Sequence, residues 1–210
     1  MALEDSILRF KEQFDWHPEI QHQEALKAHK NVIIVGMGGS HLGPWMLKRY
    51  VGGQNIFIHR DYGLPDLPEE TLKEALIILS SYSGGTEEVL DAGRVAMEKG
   101  YSIAAISRGG KLIDFAKEHA LPHIVVPDMH MQPRVAIGVS MLGIAKLMMS
   151  QVMEDAVRSA GQSIDPVAGR EEGMRLAESL RGKIPVIYAS SVNMPLSFIW
   201  KIKLNESVKI

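Results

Sequence analysis

Short apolar runs recur along the chain, with amphipathic stretches between them. Residues 31–36 read Asn-Val-Ile-Ile-Val-Gly, a continuous β-branched run of the kind that forms a strand buried on both faces. Similar runs follow at residues 55–59, 75–79, 102–106 and 123–126, while residues 42–50, 86–99 and 111–119 carry apolar side chains at helical spacing. Strands alternating with helices predict an α/β fold, a doubly wound parallel sheet with flanking helices. Ahead of the first strand, Leu3, Ile7, Leu8, Phe10 and Phe14 predict a leading helix packed on that unit.

Beyond the fifth run the pattern changes. Residues 135–156 read as one long helix, and the polar stretch 159–169, with its Gly and Pro, reads as a linker. A helix over 170–180, a strand over 184–189, a turn over 190–193 and a helix from Pro195 then follow. The chain thus divides into a first unit (1–158), a linker (159–169) and the start of a second α/β unit (170–210). One strand and one helix cannot close a sheet, so the sequence is expected to be part of a longer protein.

Composition narrows this picture mainly by exclusion. With 46% hydrophobic and 23% charged residues and a net charge of −2, there is no broad electrostatic case for nucleic acid or an anionic membrane. The absence of cysteine removes disulfides, zinc-thiolate sites and a thiol nucleophile, and fits a reducing compartment. The apolar run 135–149 contains Lys146 and is shorter than the ~20 residues of a spanning helix, so it predicts a buried helix. Met1-Ala2-Leu3-Glu4-Asp5 is acidic where a secretion signal is basic, and a cytoplasmic location is expected.

Two turns carry the chemistry. Gly36-Met37-Gly38-Gly39-Ser40 follows the first strand, and Ser81-Tyr82-Ser83-Gly84-Gly85-Thr86-Glu87-Glu88 joins the third strand to a helix. Hydroxyl donors, glycines that let backbone approach closely, and a helix N-terminus are what a phosphate needs. A single N-cap at Ser83 or Thr86, with Glu87 and Glu88 complementing the helix dipole, leaves the other hydroxyls and both glycines unexplained. A dinucleotide fingerprint needs glycine at position 41, where His41 stands; Asp61 after the second strand is the one feature that keeps an NAD-dependent oxidoreductase as an alternative.

In this order the two turns resemble the sugar isomerase (SIS) domain, and within it the bifunctional phosphoglucose/phosphomannose isomerases. Asp61-Tyr62, Pro133-Arg134, and Trp200-Lys201 through Asn205-Glu206 to Lys209 are similar as well. The resemblance implies two SIS domains, the second beginning within this chain. It implies a sugar phosphate held by Ser40, Ser81, Ser83 and Thr86, with backbone N–H groups near Gly39 and Gly84. It also implies Arg134 beside a cis-enediolate and Glu206 as the base that moves a proton between C1 and C2. A ring-opening histidine and lysine are then expected beyond Ile210, and the partners are a sugar phosphate and a second copy in a homodimer. One carboxylate near two adjacent carbons suffices for aldose–ketose isomerisation, so neither metal nor redox cofactor is expected. The alternative within the same domain type is a non-catalytic sugar-phosphate sensor. Gly85 stands where the family has asparagine, and His41 is expected within reach of a ligand. His17, His22 and His29 are expected to be solvated, His123 and His130 to be structural, and the twelve methionines to fill the core.

Overall fold

The computed structural model describes residues 3–48 and 54–208. Its elements run in chain order as α1 (Leu3–Leu8), a 3-10 turn (Phe10–Asp15), β1 (Asn31–Val35), α2 (Leu42–Leu47), β2 (Asn55–His59), α3 (Glu69–Lys73), β3 (Ala75–Ser80) and α4 (Glu87–Glu98). There follow β4 (Ser102–Ser107), α5 (Gly110–Glu118), β5 (His123–Val125), α6 (Ile137–Leu147), α7 (Gln151–Gln162), α8 (Pro166–Leu180) and α9 (Met194–Lys203). The five strands form one parallel sheet in the order β2-β1-β3-β4-β5. Tyr50 and Lys209, which belong to expected features, lie outside the described residues.

Alternation along each strand explains the layers. Val32, Ile34, Leu76, Ile78, Ala104 and Ile106 face one side and pack under Val139, Leu142 and Leu147 of α6, Val157 of α7 and Leu47 of α2. Ile33, Val35, Ile77, Leu79, Ile103 and Ala105 face the other side, under Val89, Ala92 and Ala96 of α4 and Leu112 and Ala116 of α5. β1 and β3 are buried along their whole length, which is why they read as unbroken apolar runs. Gln21 and His123 exchange backbone hydrogen bonds of 2.8 and 3.0 Å and cover the outer edge at β5.

Four expectations need correction. The long helix over 135–156 is two helices: Met149 takes a left-handed φ of 55°, and the Ser150 hydroxyl restarts the backbone by accepting the Met153 N–H at 3.4 Å. The linker over 159–169 is mostly helical, because α7 continues to Gln162 and α8 starts at Pro166 with Asp165 as its cap. Gly161, which suggested a break, is there for close packing: a Cβ would run into the Phe14 ring. The expected strand over 184–189 pairs with no other strand among the described residues, and Ile184 and Tyr188 are 92% and 91% exposed. The leading helix is likewise split, with a 3-10 turn carrying Phe10 and Phe14.

Candidate active site

β1 and β3 lie side by side, but the chain leaves β1 toward β2 and leaves β3 toward β4. Their carboxyl ends therefore open a crevice where the winding reverses, the place at which open α/β sheets bind ligands. Both small-residue turns end there and are bonded to each other. The Ser40 hydroxyl accepts the Tyr82 N–H at 3.0 Å, and the Ser80 hydroxyl donates to the Ser40 carbonyl at 3.2 Å. Gly39 lies so close to the backbone of Pro133 and Arg134 that a Cβ there would stand only 2.8–2.9 Å from their atoms and collide.

The hydroxyls are partly used within the turn. Ser81 is buried; its oxygen lies 2.7 Å from the Thr86 hydroxyl and accepts the Gly84 N–H at 3.0 Å. Two hydroxyls sharing one such bond keep one O–H for a ligand. Thr86 is the N-cap of α4, yet its side chain caps no amide, so the leading N–H groups of α4 have no side-chain cap. Ser83 is exposed, its oxygen 3.4 Å from the Gly85 N–H. Gly84, at φ 74°, presses on the Gly109 carbonyl so closely that any Cβ would collide.

Arg134, adjoining Gly39, reaches Glu206 with Nη1 3.6 Å from Oε2; the arginine side chain is 19% exposed and the glutamate 52%. Glu206 stands in a π-helical turn (Leu204–Val208) that ends α9, a backbone form common at functional sites. Lys203 precedes it by one turn. Burial first, and Arg134 second, push its amine down to about 8, against a smaller upward pull from Glu206. Of the eight residues expected at the site, Ser40, next to Gly39, is bonded to the turn that holds Ser81, Ser83, Gly84 and Thr86, and Arg134, whose backbone adjoins Gly39, pairs with Glu206.

The chain matches no family model. It is similar to the bifunctional phosphoglucose/phosphomannose isomerase of Thermoplasma acidophilum, at 31% identity over 86% of this chain and 56% of the relative. The Caldicellulosiruptor bescii protein of the same name is 32% identical over 85% of this chain and 56% of its own. These are proteins the chain is similar to in sequence. It spans about half the length of the curated relatives it matches. In fold, tagatose-6-phosphate ketose/aldose isomerase from Escherichia coli superposes on 97% of this chain and 61% of its own, with a TM-score of 0.55 at 16% identity.

Two features of the site differ from the expectation. His41 does not reach the crevice; it is 2% exposed, its ring between Trp45 (5.9 Å) and Phe198 of α9 (5.6 Å), and neither ring nitrogen has a hydrogen-bond partner. The turn after β1 is accordingly closed by a buried ring where a dinucleotide fold places glycine, and Asp61 spends its carboxylate on the Tyr62 N–H at 2.8 Å. Lys203 was missed. Its signal in the sequence was its place three residues before Glu206, but only the folding of α9 beside Arg134 gives that spacing meaning. Among the described residues no group of three or more His, Asp or Glu could hold a metal ion, and no helix is long and apolar enough to cross a membrane.

Proposed function

We propose that this chain is the phosphate-binding and proton-transferring part of an isomerase. It interconverts glucose 6-phosphate and fructose 6-phosphate, with mannose 6-phosphate as a further aldose. The observation that carries this reading is the Arg134–Glu206 pair at 3.6 Å, set beside a crevice of hydroxyls and helix amides. Ser40, Ser81, Ser83 and Thr86, with the amides near Gly39 and Gly84, hold the phosphate. The sugar's C1 and C2 then lie toward Arg134. Glu206 takes the proton from C2 of the open-chain aldose and returns it to C1, while the hydroxyl proton passes from O2 to O1. Arg134 stabilises the cis-enediolate between the two transfers. A single base serves both carbons because the cis-enediolate presents them side by side on one face.

The names of the relatives support the reaction, and their greater length supports a division of labour. Residues 170–210 begin a second SIS domain, and the ring-opening histidine and lysine lie beyond Ile210. The working enzyme is a cytoplasmic homodimer that needs no metal or redox cofactor.

The test is Glu206→Gln in a protein carried to the full length of its relatives. Fructose 6-phosphate binding should stay within a few-fold of wild type while turnover falls by about 10²–10⁴. Unchanged turnover in the variant would sink the assignment of the base. Binding without any turnover, even in the wild type, would make the protein a sugar-phosphate sensor.

A further inference from the structure

The cradle of Ser40, Ser81, Ser83 and Thr86 carries no positive charge, and the first turn of α4 brings Glu87 and Glu88 to its edge. A phosphate monoester is close to a dianion at neutral pH, and hydroxyls with helix amides offer it only partial positive charge. Arg108 stands on the flank of this cradle, at the carboxyl end of β4. Its N–H donates to the Tyr82 carbonyl at 3.2 Å, and the adjoining Gly109 and Gly110 press on the backbones of Ser83 and Gly84. Together with Tyr82, Ser83, Gly109 and Gly110 it lines a polar pocket of about 320 Å³.

The guanidinium is held in a defined pose. It lies over the Tyr82 ring at 5.4 Å, and Nη2 is 2.7 Å from Oδ2 of Asp128, which also faces Nδ1 of His130 at 3.5 Å. The Arg108 and Asp128 side chains are 37% and 46% exposed, so the pair is open to exchange with a dissolved anion. A planar guanidinium offers more than one edge to oxyanions, and a carboxylate on one edge leaves another for phosphate.

We propose that Arg108 is a specificity-determining residue of this site, taking the phosphate of the substrate beside Ser83 in competition with Asp128. The inference rests on the sugar-phosphate reading above. It makes Asp128 a placeholder, so substitutions of the two partners act in opposite directions.

Calorimetric titration of the 210-residue chain with fructose 6-phosphate and with inorganic phosphate tests this. Arg108→Gln should weaken both ligands about tenfold or more, Arg108→Lys should recover part of the loss, and Asp128→Asn should tighten binding several-fold. If Arg108 only ties loops together through Asp128, both substitutions weaken binding, and the proposal is overturned. Wild-type affinity in Arg108→Gln alongside lost binding in Ser81→Ala overturns it too, but leaves the sugar-phosphate site standing. No binding of either ligand by the wild type removes both.

Discussion

His41 is kept neutral by its surroundings. Burial and, after it, the positive charge of Arg60 lower its pKa from 6.5 to about 4. Folding therefore favours the uncharged ring. The unfolded chain takes up a proton below pH 6.5 and the folded one only near pH 4, so this contribution to stability is complete above 6.5 and lost as pH falls through that window. Its full size is on the order of 3 kcal/mol, and roughly 2 kcal/mol should be gone at pH 5. Urea unfolding at pH 7 and pH 5 checks this. His41→Leu should lose less stability than wild type between the two, and equal losses would show that the histidine titrates alike in both states. At this scale the turn over 81–86 was legible because its side-chain bonding is local: the Ser81 hydroxyl meets the Thr86 hydroxyl and the Gly84 N–H, and the Ser83 hydroxyl meets the Gly85 N–H. His41 was not, because Phe198, more than 150 residues later, buries it.

Elements were legible where burial sets the pattern. The five strands of the first unit and α4 and α5 lie within a residue or two of expectation, because both sheet faces are covered and the apolar positions have one place to go. The break at Met149 went unseen, since an apolar run gives no sign of where a backbone turns left-handed. α8 is a different case. It has good end signals, Asp165 bonding the amides of Val167 and Ala168 at 3.0 and 3.1 Å with Pro166 following, yet none of its residues is buried. Its Arg170 pairs with Glu4 of α1 at 2.8 Å, an exposed contact of small energetic weight. A helix of 15 residues without packing is marginal in water. Hydrogen exchange should therefore be much faster in peptides of α8 than in those of α4, and Asp165→Ala should speed it further, by the about 1 kcal/mol a lost cap costs. Protection in α8 equal to that in α4 would mean the helix is docked on another surface in solution.

The same imbalance extends over the whole C-terminal quarter. Ile184, Val186, Tyr188, Val192, Met194 and Trp200 are between 49% and 92% exposed, within a stretch of under twenty residues, whereas the first unit buries its β-branched residues almost completely. A soluble protein seldom leaves so much clustered apolar surface in water unless something covers it. The sequence pattern over 184–189 is that of a strand, and a strand forms only where a neighbour offers backbone groups to pair with. The described residues contain no such neighbour for it. A second sheet supplied by further residues, of the kind the longer relatives have room for, would satisfy both the apolar side chains and the unpaired backbone. On this account the 210-residue chain should bind anilinonaphthalene sulfonate strongly, and a chain carried to the relatives' length should bind it weakly. Lengthening should also bring the amides of 184–189 under exchange protection close to that of β1. Strong dye binding and rapid exchange in the longer protein would mean that these side chains face a second copy instead. In that case, protection would rise with protein concentration, which sedimentation at the same concentrations would follow directly.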